Sequence, residues 1–574
     1  MPLRAFAAAA FVVATFTSAA PAQTRTNTAP ANSIELVLKP QRDVAGNVTT
    51  LDVSMRFADS AAAQAFAVRA PLVVYSHTGI ADRLHDMRMT DSKGDVALTV
   101  ADENGNRVWR ASRTVEWPVV VHYTAIVPPS RTVAGPPIDL RTFAGGVSMG
   151  GQGFLALPAD NRPYQIRLRW DLSSLPSGST AVTGLGEGDL ETVAPLASLQ
   201  RIFYLAGPLG RYPERGDVSG FSAFWLGDKD SVNMRGEMAW GADAYSKLRR
   251  FFHDSTARSY RFFTRVLPEA ATSGGTASLN SFMLQVPKPT RGNNPDGAGT
   301  LSRGTMVHEM IHGWVGGISG SGNTQWFGEG ATTYFTARTE LALGLMPLEA
   351  LAREYTNLSR DYYPNPYRNV SADSAAGAFW LSKEGERLPY ARGSLYFMDL
   401  NARIKKASAG RRSLDDVMFA LFAKRAASGP LSTDAFLAAV AGELGPTAAA
   451  EFDSIVVRGT KTIVLAPDTF GPCFSRRTVT IPVPDFLFRR NETKRIVTGL
   501  RGESAAFQAG LRDGDEVMNQ VDVGALTTGT DPVVLEIRRG QSPQTIRYVP
   551  RPLAVESYEW TVAPGVAEAT CRTV

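Results

Sequence analysis

This chain has little surplus charge. Its 60 basic and 55 acidic side chains leave a net charge of +5 over 574 residues. The excess is scattered and forms no lysine-rich run, so the basic pI of about 9.1 does not point to nucleic acid. Beyond the N-terminus, no segment is apolar enough to span a membrane, which excludes a later transmembrane anchor. Internal repeats and low-complexity tracts are missing too. Cysteine is nearly absent, with only Cys473 and Cys571. Histidine is scarce as well, at 6 residues, so any histidine cluster is conspicuous.

What is present describes an ordinary globular protein: 44% hydrophobic and 20% charged residues. A chain of 574 residues is too long for one hydrophobic core and is expected to divide into several domains. The first 22 residues carry one basic side chain, Arg4, then an apolar run from Ala5 to Phe16, then Ala20-Pro21-Ala22. This predicts a secretory signal peptide, residues 1–22, cleaved after Ala22. An uncleaved anchor is the alternative, but the apolar run is short of the ~20 residues a span takes. The mature chain is therefore expected to be exported, periplasmic or secreted. In an oxidising compartment an even pair of cysteines predicts a Cys473–Cys571 disulfide, with two free buried thiols as the alternative.

After a polar linker, residues 34–190 show short period-2 runs such as "SIELVLKP", "TLDVSMRFA" and "YQIRLRWDL", separated by turn signals. They predict an N-terminal β-rich domain. From 195 to about 460 a small strand-bearing lobe gives way to segments that read as helices. Strands return from about 466. The fold class expected is multidomain α+β.

One stretch carries chemistry: "VHEMIHGWVGG", residues 307–317. His308 and His312 lie one helical turn apart on the same face, so both imidazoles can reach one metal. Glu309 projects beside them. Six histidines in 574 residues make a chance match to this pattern rare. Thr300 or Ser302 can cap the helix. A loop then returns the chain to "WFGEGATTYF", where Glu329 stands near the start of a second helix. Two histidines and one glutamate leave a fourth zinc position open, the catalytic rather than the structural arrangement. The expected roles follow. His308, His312 and Glu329 hold one Zn²⁺ per chain, and Glu309 is the general base. A tyrosine is the expected oxyanion donor, although several are eligible. Thr333, one turn after Glu329, is a candidate partner behind the ligands, with an ordinary helix position as the alternative. His77, His85, His122 and His253 are expected to be ordinary residues.

The residues "HEMIHGW", "WFGEGATTYF" and "LPYARGSLYFMDLNARIKKASAGRRSLDDVM" together resemble the glycyl aminopeptidase family of gluzincin zinc metallopeptidases. That family is related to the aminopeptidase N family. The resemblance implies an N-terminal β domain, a thermolysin-like zinc domain over 195–460, a C-terminal PDZ-like β domain over 466–555 and a tail over 556–574. It identifies Tyr390, in Tyr390-Ala391-Arg392-Gly393, as the oxyanion donor, with Arg392 where the family has lysine. "AAFQAGLRDGDEVMNQVDV" resembles a PDZ helix and turn, and "FGPCF", 470–474, is its expected carboxylate-binding loop, which would take a peptide ligand. Two departures stand out. Glu329 follows His312 by 17 positions, slightly fewer than is common among relatives. In "GGTASLNS", Gly274, Gly275, Asn280 and Ser281 match the family's substrate-side strand. Ala277 stands where a glutamate is expected to grip a free amino terminus, so action on internal bonds is an expectation alongside aminopeptidase action. A peptide or protein is the expected substrate. The rival readings are a catalytically silent PDZ protein and a zinc hydrolase acting on a non-peptide substrate.

Overall fold

A computed structural model describes residues 32–59, 66–128, 135–227, 233–256, 258–267, 273–287, 301–320, 322–489 and 494–572. The segment 1–22, expected to be a signal peptide, and Thr300 lie outside them.

Period-2 patterning is realised in the N-terminal half. Strand Ser33–Arg42 alternates buried and half-buried side chains. It pairs antiparallel with Val48–Asp59 and parallel with Pro163–Trp170 in a seven-stranded sheet. This sheet shares one core with a three-stranded and a four-stranded sheet. The four-stranded sheet includes Phe203–Gly207, beyond the expected end of the domain at residue 190. Its outer face carries Val182, Phe203 and Leu205. These pack on Phe224, Phe263 and Met283 from the next sheet, forming an apolar seam between the two halves. The seam also buries an ion pair, Arg265 to Asp139 at 2.6 Å.

That next sheet is five-stranded and holds the strands of the following lobe. Its order is Gly210–Tyr212, Phe221–Leu226, Tyr260–Leu267, Ser281–Pro287 and Gly274–Ser278. The three central strands are parallel. Helix α1, Met234–Phe251, makes the crossover between the first two of them. Among the described residues, Gly274–Ser278 is the edge strand, paired only with Ser281–Pro287.

A helical layer packs beneath: α2 (Arg303–Val315), α3 (Gln325–Ala342), α4 (Leu348–Tyr362), α5 (Ala372–Ala378), α6 (Lys383–Ala407), α7 (Leu414–Ser428) and α8 (Thr433–Leu444). One large core joins these helices to the sheet. Among the described residues, no helix is long and apolar enough to cross a membrane.

The C-terminal part has two components. A two-stranded ribbon pairs Phe474–Val483 with Leu553–Val562 along its whole length. It packs on α4, where Trp560 N–H donates to Thr356 Oγ1 at 2.9 Å. Residues 556–562 therefore belong to a strand, and Cys571 is bridged to Cys473 with Cα atoms 5.7 Å apart. Between the two ribbon strands, residues 486–548 build a separate small core under a five-stranded antiparallel sheet with short helices Ala505–Gln508 and Ala525–Thr528. The segment 470–474 does not serve this unit as a binding loop. Phe470 stacks on Tyr355 of α4 at 3.9 Å and Cys473 is in the disulfide, so the loop is spent on packing against the helical layer.

Candidate active site

Ser302 caps α2, its hydroxyl accepting from the Thr305 N–H at 3.4 Å. The helix ends at Gly316, whose φ of +59° turns the chain out of the helix. In between, His308 and His312 stand with ring centroids 4.8 Å apart. The loop that follows delivers α3 with Glu329 in its second turn. Glu329 Oε2 lies 3.3 Å from His308 Nε2 and 3.5 Å from His312 Nε2. The spacing of 17 positions is therefore enough for the return. One ligand atom from each of the three lies within 4.8 Å of the others, and among the described residues this is the only such cluster. The other four histidines lie elsewhere. His77 bonds the Pro136 carbonyl at 2.7 Å, and His253 packs on Phe419.

The donor set fits a metal ion. Two imidazole nitrogens and one carboxylate oxygen converge, with only three protein ligands for a four-coordinate ion. A second feature supports the fit. Thr332 Oγ1 donates its one hydrogen to the Gly328 carbonyl at 2.6 Å. Its contact with His312 Nδ1 at 3.2 Å must then be accepted from an Nδ1–H, which leaves the Nε2 lone pair facing the cluster. The sequence offers Thr333 as a candidate partner behind the ligands, with an ordinary helix position as the alternative. The Thr333 hydroxyl is buried without a partner, because one residue along a helix rotates the side chain by about 100°. The available signal was the i, i+4 bond from Thr332 to Gly328.

Glu309 is 8% exposed and lies beside the edge strand. Burial pushes its carboxyl above the usual range, partly offset by His312 and His308, while the Ala277 N–H holds it in place. A Cβ at Gly275 would come within 2.9 Å of Glu309 Oε1, so only glycine lets the strand approach this closely. Burial would also raise Glu329, but the neighbouring His312 and His308 outweigh it and hold Glu329 well below the carboxylate range. Burial alone would lower His312, but Glu329 outweighs it and lifts the imidazole to about 9 while no metal is bound, so a metal ion taking the Nε2 lone pair would displace a proton.

Tyr390 comes from α6 and packs its ring on His308, centroids 5.8 Å apart and 27° between planes. Burial, then the charges of Glu329 and Glu309, hold its hydroxyl far above the ordinary tyrosine value. It stays protonated and able to donate. Its position depends on a backbone crossing. A Cβ on Gly330 of α3 would sit 2.5 Å from Gly393 Cα of α6, and one on Gly393 would sit 2.1 Å from the Trp326 carbonyl. Arg392 plays a different part. It is 2% exposed and donates to the carbonyls of Arg368, Val370, Tyr367 and Val456, tying α6 both to the chain after α4 and to the turn Asp453–Val457.

The N-terminal half also reaches the helical layer through a contact that the sequence does not reveal. The hairpin Val73–Thr78 of the N-terminal half reaches the α5–α6 corner, where Tyr75 packs on Trp380 with centroids 5.9 Å apart. Of the edge-strand residues expected at the substrate, Gly275 and Ala277 lie against Glu309, and Gly274 lies nearer the Gly135 carbonyl.

No family model and no curated protein matches this chain. Solved structures do. An aminopeptidase N family protein from Idiomarina loihiensis aligns over 94% of this chain and 99% of its own, at 16% identity and a TM-score of 0.69. Yeast LTA4 hydrolase aligns over 76% and 69% at 11% identity with a TM-score of 0.47. Legionella pneumophila aminopeptidase A aligns over 81% and 55% at 11% identity with a TM-score of 0.43. The first comparison establishes that nearly the whole chain shares the fold of an aminopeptidase N family protein.

Proposed function

We propose that this chain is an exported zinc metallopeptidase, with a glycyl aminopeptidase-like plan and a C-terminal PDZ-like unit. The observation that carries the reading is the convergence of His308, His312 and Glu329 within 4.8 Å, flanked by buried Glu309 and Tyr390. His308, His312 and Glu329 would hold a zinc ion, whose chemistry is to acidify a water and polarise a carbonyl. Glu309, with its proton affinity raised by burial, takes a proton from the attacking water and hands it to the leaving amine. Tyr390 donates to the oxygen on which negative charge develops. The outer edge of Gly274–Ser278, apart from the Ala277 N–H that holds Glu309, hydrogen-bonds the extended main chain of the substrate. Thr332 orients His312. The Ala277 side chain offers no counter-charge to an α-ammonium, which favours cleavage of blocked or internal bonds.

Digestion of a peptide library, with and without chelator and beside Glu309→Gln, tests this reading. The expected result is chelator-sensitive cleavage that Glu309→Gln loses while keeping one zinc per chain. Undiminished cleavage by the variant would remove Glu309 from its role.

A further inference from the structure

A cavity lies where α4 and α6 meet the end of the ribbon and the small C-terminal unit, and no step of the proposed reaction uses it. Its volume is about 200 Å³, less than the roughly 300 Å³ and upward that drug-sized ligands take. Its frame is tied together by Asn365, which is 7% exposed. Asn365 Nδ2 donates to the Asp361 carbonyl of α4 and to the Glu384 carbonyl of α6, at 2.8 Å each. One wall is apolar: Ile481, Pro482 and Val483 end the ribbon strand, and Pro484 and Leu487 lead into the small unit. The other wall is charged. Asp361 comes from the last turn of α4, and Lys383, Glu384 and Arg387 come from the start of α6. Lys383 and Arg387 stand one turn apart on one face.

Among the described residues, none of these four side chains makes an ion pair or a side-chain hydrogen bond. The remaining charge in the lining, Arg360, is engaged by Glu559 at 2.8 Å. Asp361 is half-buried. Burial raises its carboxyl, and Arg387 and Lys383 pull the other way without touching it. The cavity thus holds unspent charges of both signs beside an apolar wall. We infer that it binds a free α-amino acid with an apolar side chain of about leucine size. The ammonium pairs with Asp361 and Glu384, the carboxylate sits between Lys383 and Arg387, and the side chain packs on the wall from Ile481 to Leu487. A long peptide carries its two charges at opposite ends and cannot place both here. The site shares α6 with Tyr390, three positions beyond Arg387, yet it needs no turnover and stands apart from the peptidase reading.

Calorimetry on the full chain tests the assignment with L-leucine, glycine, N-acetyl-L-leucine and L-leucinamide. Wild type is compared with Asp361→Asn and with the double change Lys383→Gln and Arg387→Gln, which alters two exposed side chains and leaves the fold intact. Leucine should bind one per chain. N-acetyl-leucine lacks the ammonium and should bind roughly tenfold more weakly, the effect of losing a hydrogen bond to a half-buried charge. Leucinamide lacks the carboxylate and should bind roughly fivefold more weakly, the upper range for exposed ion pairs. Glycine lacks the apolar side chain and should bind roughly tenfold more weakly. Asp361→Asn should erase the preference for leucine over its N-acetyl form and keep the preference over the amide, and the double change should do the reverse. Equal Kd for leucine and both blocked forms would overturn the inference, as would no binding at about 10 mM leucine, the weak end for so small a ligand. Preferences that survive both sets of changes would place the leucine elsewhere, at the metal-ligand cluster for instance, and overturn it as well. Peptide turnover measured in parallel decides the peptidase reading separately.

Discussion

A threonine hydroxyl has one hydrogen to give. Thr332 spends it on the Gly328 carbonyl and so receives from His312. Thr332→Val removes the acceptor and leaves His312 Nδ1–H buried without a partner. Zinc affinity should fall by about 10–100-fold, the usual effect of losing such a partner, while the folded state survives because valine fills the same volume. Competition with a chromophoric chelator measures it. Tyr390 is tested differently. Tyr390→Phe keeps the ring on His308 but loses the donor, so kcat should drop roughly 10²–10³-fold with KM and zinc content nearly unchanged. A large rise in KM instead would make Tyr390 a binding residue. At this scale the sequence was informative where spacing along one helix decides geometry, as for His308, His312 and Glu309. It failed between Thr332 and Thr333, where two identical side chains differ only by a rotation about the helix axis. It was also silent about Tyr75, which packs on Trp380 from the N-terminal half, far upstream of the histidines.

Elements transmit this geometry through contacts that no motif displays. Helices α3 and α6 meet at Gly330 and Gly393, where there is no room for a Cβ. Gly330→Ala should push the helices apart, destabilise the fold by on the order of 3 kcal/mol and move Tyr390 away from Glu329. A lower denaturation midpoint together with lost activity is the expected signature. The sequence shows both glycines but cannot show that they touch. A second junction titrates. Buried Glu340 of α3 and half-buried Glu354 of α4 face each other near Gly304 of α2. Neither Glu340 oxygen finds a donor if both groups are ionised. Burial first, then Glu354, raises Glu340 well above its ordinary 4.5, and burial raises Glu354 as well. The folded protein therefore holds more protons here than the unfolded chain. The sign follows from linkage: this contribution to stability is complete below about pH 4.5 and is lost as pH rises through the folded values. Glu340→Gln cannot ionise and can donate to Glu354. Its denaturation midpoint should fall less than that of wild type between acidic and alkaline pH. Parallel curves for the two proteins would refute a shared proton.

The whole molecule has an insertion logic that its linear order conceals. Residues 466–555 read along the sequence as one C-terminal domain, yet the two strands that bracket 486–548 belong to the helical layer. Phe474–Val483 and Leu553–Val562 pair with each other, bury Phe474, Tyr558 and Trp560 in the large core and are clasped by Cys473–Cys571 across 98 positions. A strand's partner is set by tertiary contacts, so alternation alone could not assign these two strands to the helical layer. The inserted unit has its own core of Phe486, Val497, Leu511, Leu535 and Ile537. Because Val483 and Leu553 are register partners, a two-residue turn can join them directly. Replacing residues 484–552 with Asn-Gly should therefore leave a folded protein that binds one zinc and cleaves a short peptide within a few-fold of the full chain. The disulfide then closes a much shorter loop, and reducing it should cost less stability than in the full chain, since the loop-entropy contribution grows with loop length. Zinc content, peptide turnover and the midpoint shift on reduction check the three parts. If the shortened protein fails to fold or loses zinc, the inserted unit is a structural part of the catalytic body. If it keeps short-peptide cleavage but slows on folded protein substrates, the inserted unit contributes to substrate capture.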